Sequence, residues 1–261
     1  MSDLNLWLTA IAGLGMVLVA GGALIGWERI SQTEWKWFWI GAGLWGVAVA
    51  IKVAVALSVN EPVTSWLRQR LSYPAYIGAT GLYLGVLSSA CEIGLTILAV
   101  VVWRQLGRDA GRAIAIGVGA GAIEAFLIGV ATIVSVAVAM TELPGTEEIR
   151  QRLAGSPGGA AIPLIWLIGP VERALALLIH ASTRALVLLG LFYNRPWMIL
   201  GGFAIFTAVD GIAGGAIVFR MKHAGFSAWW IELAIAPFAL VSVFILRWCY
   251  RRWPNRPAVA I

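Results

Sequence analysis

Eight ionisable side chains fall inside long apolar runs of this sequence: Lys52, Glu92, Glu124, Glu172, Arg173, His180, Arg184 and Asp210. Carboxylates can hold a metal, accept a proton or activate water. Imidazole can do each of these near neutral pH, and lysine or arginine can neutralise them. In an apolar run such groups carry a penalty of at least about 2.5 kcal/mol each on insertion scales, so their presence marks a functional or pairing role.

The runs that hold them are membrane spans by length and composition. The chain has 261 residues, 60% hydrophobic and 12% charged, well outside the range of soluble domains at about half apolar and a quarter charged. A hydrocarbon core about 30 Å thick needs roughly 20 apolar residues per helix. That rule predicts seven spans: Trp7–Ile25, Trp37–Val59, Ala75–Trp103, Ala113–Met140, Pro163–Phe192, Trp197–Phe219 and Ala228–Trp248. The third and fifth are long enough to tilt, and Pro170 is a point at which the fifth would break. The expected fold is therefore all-α, a single polytopic transmembrane bundle over residues 1–261. The N-terminal run lacks a basic leader and is long, so it reads as a retained first helix.

Trp35, Trp37, Trp39, Trp66, Trp103, Trp197, Trp229, Trp230, Trp248 and Trp253 cluster at the span ends, as an aromatic belt does. Ten basic loop residues lie on one side (Arg29, Lys36, Arg104, Arg108, Arg112, Arg195, Arg247, Arg251, Arg252, Arg256). Six lie on the other (Arg68, Arg70, Arg150, Arg152, Arg220, Lys222). The excess predicts a cytoplasmic C-terminus and an external N-terminus, in a multi-pass protein of the cell membrane. The net charge of +6 belongs to these loops, so the expected partners are the bilayer and other membrane proteins or helices, not nucleic acid. The loop Thr141–Ala161, with Glu142, Glu147, Glu148, Pro144 and Pro157, reads as a short surface helix plus linker. Cys91 and Cys249 both sit in apolar runs, which argues against a disulfide or a zinc cluster.

Gly117 and Gly121, and Gly211 and Gly215, are small-xxx-small pairs that predict close helix contacts. Gly117, Gly119 and Gly121 mimic a nucleotide loop, but no strand precedes them and they lie within a span. Counting the rise of each helix from the expected cytoplasmic end of its span places Glu92 and Glu124 at roughly 16 Å, His180 at roughly 18 Å, Asp210 at roughly 20 Å, Lys52 at roughly 22 Å and Arg184 at roughly 12 Å. Glu172 and Arg173 come out near the opposite boundary. Two chemistries suit such a slab: a neutral hydrogen-bonded network that fixes helix register, or a substrate, ion or catalytic site. His180 and Arg184, four residues apart, share one helix face.

The order of these elements, from about Lys52 to Gly214, resembles the YhfC-type family of intramembrane metalloprotease-like proteins, relatives of the PrsW and CAAX-prenyl-protease group. Its paired-acid motif E-E-x-x-R aligns with Cys91-Glu92-Ile93-Gly94-Leu95, and its G-H-G-G-x-E motif with Gly119-Ala120-Gly121-Ala122-Ile123-Glu124. The I-E-R-x-x-A segment aligns with Val171-Glu172-Arg173-Ala174-Leu175-Ala176, and the late H-x-x-x-D with Phe206-Thr207-Ala208-Val209-Asp210. Cys91, Leu95, Ala120 and Phe206 replace an acid, an arginine and two histidines. Alanine and phenylalanine neither bind metal nor transfer protons, and a catalytic zinc keeps at least three protein donors. The resemblance thus implies the protease frame without its chemistry: a non-catalytic relative with a binding or complex-subunit role. The alternative it implies is a surviving peptidase, with Glu124 as general base assisted by Glu92, and His180 and Asp210 holding metal (zinc as the cofactor) or substrate. A proton- or ion-coupled transporter is the third reading, since such proteins use buried midplane acids; against it stand the absence of inverted repeats and of paired broken helices.

Overall fold

The computed structural model describes residues 3–141, 145–154, 164–223 and 225–253. Among them lie eight α-helices and no strand: α1 (Asp3–Ser31), α2 (Trp35–Arg70), α3 (Tyr73–Val102), α4 (Ala110–Ala139), α5 (Thr146–Ala154), α6 (Ile168–Phe192), α7 (Pro196–Lys222) and α8 (Trp229–Arg252). All but the short α5 are long and apolar enough to cross a bilayer, so the chain has the build of a multi-pass integral membrane protein. Its exterior agrees: Leu18, Leu57 and Val102 are 64%, 82% and 88% exposed while arginine lies inside, the reverse of a water-soluble protein.

Local chemistry sets the ends. Asp109 caps α4 by accepting from the Arg112 amide at 2.9 Å. Asn194 takes the left-handed conformation after α6 (φ 55°), where asparagine is tolerated, and lets the Arg195 amide reach back to the Gly190 carbonyl at 2.7 Å. Pro74 and Pro196 sit in the first turns of α3 and α7, where no backbone donor is needed.

The helices alternate in direction. On one face the Ala110 amide donates to the Trp253 carbonyl at 2.8 Å, Tyr193 donates to the Arg108 carbonyl at 2.9 Å, and the rings of Trp197 and Trp248 lie 5.6 Å apart. On the opposite face Arg150 of α5 donates to the Ala139 carbonyl at 2.6 Å, and Lys222 lies 4.2 Å over the Tyr73 ring. We call these the C-terminal and N-terminal faces.

Three expectations change in detail. The second span continues as helix to Arg70 through Pro62, and the turn there, with Ser58 and Pro62 both exposed, is not packed against other helices. The fifth span does not break at Pro170. Its α-helix starts at Ile168 after a tight turn over Ile165–Leu167, which puts Pro170 in the first turn, where it fits. The expected loop helix is α5, whereas Glu142, Pro144, Pro157 and Pro163, like Arg256 at the other end, lie outside the described residues.

Helix α4 is the centre of the bundle, and its glycines make it so. A Cβ on Gly117 would come within 2.6 Å of the Ala181 Cα, and one on Gly121 within 3.0 Å of the Leu177 Cα, so this edge admits α6 at backbone distance. Gly119, half a turn away, lies against the Phe38 backbone of α2. Likewise a Cβ on Gly81 of α3 would sit 2.5 Å from the Gly211 carbonyl of α7. Both small-residue pairs expected from spacing are therefore contact points. Cys91 and Cys249 are free thiols.

Candidate functional site

The close approach of α4 and α6 brings the charged residues into one connected chain. Lys52 of α2 donates to Glu92 Oε1 of α3 at 2.7 Å and to Ser88 Oγ at 3.1 Å. Glu92 Oε2 accepts from Arg184 of α6 at 2.9 Å, and the same guanidinium meets His180 Nδ1 at 2.5 Å. On the far side of the imidazole, Nε2 lies 3.0 Å from Glu124 Oε2 of α4. Glu124 Oε1 then accepts from Arg173 at 2.6 Å, and Arg173 also pairs with Glu172. Helices α2, α3, α4 and α6 are thus joined by one run of charge-assisted hydrogen bonds, each stronger than its neutral counterpart.

The pattern fixes the histidine. Arginine only donates, so His180 Nδ1 must accept and carry a lone pair. The remaining proton then sits on Nε2 and is donated to Glu124. His180 is neutral in this arrangement, and Lys52, Arg184 and Arg173 balance Glu92, Glu124 and Glu172. Phe206 of α7 packs its ring at 85° to the imidazole, 5.2 Å between centroids, and 5.6 Å from the Arg184 guanidinium carbon. The residue aligned with a motif histidine therefore walls the cluster and contributes no donor.

Burial is uneven along the chain. Arg184 and Glu92 are 1% and 3% exposed, whereas Lys52 and Glu172 at its ends are 29% and 43% exposed. Beside it Ile93, Val187 and Phe206 form a buried apolar cluster. Ile114, Ile116, Leu188 and Leu189 belong to the main apolar core.

The structure brings Glu92, Glu124, His180, Arg184 and Lys52 together in one connected chain. Arg173, expected near the outer boundary, joins the chain through its side chain, which donates to Glu124. Glu172, counted among the buried charges, is part-exposed. Asp210 lies beside Ser88 in the fields of Glu92 and Lys52 and makes no ion pair among the described residues. Next to it Thr207 donates to Ser89 Oγ at 2.8 Å.

Two further participants escaped the sequence reading. Ser88 lies one turn before Glu92, so the i, i+4 spacing was a usable signal. Glu232, 6% exposed in the first turn of α8, has one oxygen with no partner among the described residues and lies within the field of Glu172 and Arg173. An acid at a helix start reads from sequence as a dipole partner, which hid it.

As a metal site this donor set is a poor fit. Both imidazole nitrogens are engaged, Glu92 and Glu124 each face a guanidinium, and a dication there would be repelled by Arg173 and Arg184. Among the described residues no three His, Cys, Asp or Glu side chains group as metal ligands. Compared with protein-family models, curated proteins and solved structures, the chain matches none of them.

Proposed function

We propose that this protein is a non-catalytic membrane protein of the intramembrane-protease type, in which the former reaction centre has become an ionic lock and the bundle serves a binding or complex-subunit role. The observation that carries this reading is the commitment of His180: one ring nitrogen accepts from Arg184 and the other faces Glu124. A general base needs a free lone pair aimed at substrate, and a zinc ligand needs one aimed at metal. His180 offers neither without dismantling the chain. Arg184 stands where a metal's charge would be needed, and Phe206 fills the space of a missing donor. The transporter reading draws less support, because Lys52, Arg184 and Arg173 are each already paired with a carboxylate of the chain.

The test is metal analysis of the protein purified in lipid nanodiscs, combined with cleavage assays on transmembrane peptides for the wild type and Glu124→Gln. The reading predicts substoichiometric metal, no cleavage that depends on Glu124, and a lower melting temperature for the variant. Stoichiometric zinc, or peptide cleavage abolished by Glu124→Gln, would establish the peptidase instead.

A further inference from the structure

Basic side chains gather at one corner of the N-terminal face. Arg68 and Arg70 occupy the last turn of α2, Arg220 and Lys222 the last turn of α7, and His223 follows directly. Both helix ends flank the start of α3. On one side the two-residue link 71–72 joins α2 to α3, and the Arg70 guanidinium lies 5.2 Å from the Trp66 ring centroid. On the other side Lys222 stands 4.2 Å over the Tyr73 ring, whose centroid is 6.0 Å from that of His223.

Nothing in the protein neutralises this corner. Residues 62–91 and 211–231 contain no Asp or Glu. Among the described residues Arg68, Arg70, Arg220 and Lys222 form no ion pair, whereas Lys36 and Arg112 of the opposite face are paired with Glu34 and Asp109. Nor do they donate to a terminal carbonyl, as Arg150 does at the end of α4. The Tyr73 hydroxyl and the Arg220 Nε are enclosed and lack a hydrogen-bond partner among the described residues, an arrangement that costs about 1–3 kcal/mol per group unless an acceptor arrives. Topology does not account for these cations either. The larger basic count lies on the opposite face, so the positive-inside rule assigns this one to the exterior.

Uncompensated guanidinium and ammonium groups beside a hydroxyl donor are the recognition set of a phosphate. Their level is that of lipid headgroups, marked by Trp66, which is 54% exposed. Below Tyr73 the outward strip of α3 is small and apolar. Ala75 and Gly78 are exposed, and a Cβ on Gly78 would meet no atom, so an acyl chain can lie against the helix there.

We infer that this corner binds the phosphate of an anionic phospholipid from the adjoining leaflet. Arg70 and Lys222 supply charge from either side of the α3 start, and Tyr73 supplies a hydrogen bond. The site is separate from the buried ionic chain and does not depend on how that chain is read.

The test is native mass spectrometry of the full chain in non-ionic detergent, titrated with phosphatidylglycerol or with phosphatidylcholine of the same acyl chains. Wild type binds the first phosphatidylglycerol about tenfold more tightly, equivalent to ~1.4 kcal/mol. Arg70→Gln combined with Lys222→Gln abolishes that preference. Arg251→Gln combined with Arg252→Gln, which removes the same charge from the end of α8, keeps it. Tyr73→Phe weakens phosphatidylglycerol binding about threefold, as loss of one hydrogen bond would, and leaves the lipid-free melting temperature unchanged. Excess inorganic phosphate does not displace the lipid. Equal affinity for the two lipids, or equal loss in both double variants, overturns the proposal. Displacement by inorganic phosphate overturns the lipid assignment and gives the site to a soluble anion. If the Arg70/Lys222 double variant does not fold, Tyr73→Phe decides alone, and unchanged phosphatidylglycerol binding overturns the proposal.

Discussion

Replacing Arg184 by methionine removes the most deeply buried cation of the chain while keeping an unbranched side chain of similar length. Arg184 is 1% exposed and holds Glu92 at 2.9 Å and His180 at 2.5 Å. Its loss leaves Glu92 with Lys52 alone and the His180 Nδ1 lone pair without a donor. Removing one member of a buried ion pair costs about 3–5 kcal/mol, because the other charge stays behind in low dielectric. At about 2–4 °C per kcal/mol for a chain of 150–250 residues, the melting temperature should fall by roughly 6–20 °C. Adding Glu92→Gln removes the stranded charge, and the glutamine oxygen still accepts from Lys52 and Ser88. The double variant should therefore recover more than half of the loss. Thermal unfolding in nanodiscs, followed by the emission of the fourteen tryptophans, measures both. A loss below about 1 kcal/mol for Arg184→Met, or additive losses in the double variant, would refute the coupling of these two groups.

Gly117→Val places side-chain atoms where Ala181 Cα and the His180 carbonyl stand, so α6 must move off α4. It should destabilise strongly and raise the exchange of the His180 ring proton, read by NMR, whereas Gly94→Ala, which meets open space, should be neutral in both. Ser182 and Ser242, both fully buried, pin α6 to α8 through a 2.8 Å hydrogen bond, and Ser242→Ala should cost about 0.6–1.5 kcal/mol in thermal unfolding. Glu34, outside the spans, has its carboxyl held below the usual range by the Lys36 ammonium at 2.7 Å. A depressed carboxyl contributes above its unfolded value and loses that contribution as pH falls through the folded one. This pair is fully exposed, so Glu34→Gln should leave the melting temperature unchanged at neutral pH and alter it little on acidification.

Periodicity and hydropathy made the seven spans legible, because a bilayer demands long unbroken apolar helices whatever the tertiary contacts. The small-residue pairs at Gly117/Gly121 and Gly211/Gly215 were legible for the same reason: close approach excludes side chains. Depth counting also placed Glu92, Glu124 and His180 close to one level, with Arg184 shallower, since an α-helix has a fixed rise. It missed the reach of the Arg173 side chain, and it gave no azimuth, so it did not tell that Asp210 stands outside the ion-paired chain. Nothing in the sequence told which acid each cation would choose. That choice depends on how α4 and α6 rotate against each other, a tertiary outcome of the glycine contacts.

The central claim is that His180 is locked as a neutral imidazole between Arg184 and Glu124. The chain contains two histidines, so ¹⁵N-labelled histidine in nanodiscs gives two ring spin systems, and His223→Gln removes the other. At neutral pH the account predicts one protonated nitrogen at Nε2 and one lone-pair nitrogen at Nδ1 for His180, unchanged by zinc. An imidazolium pattern, a proton on Nδ1, or a zinc-dependent shift of either nitrogen would contradict it.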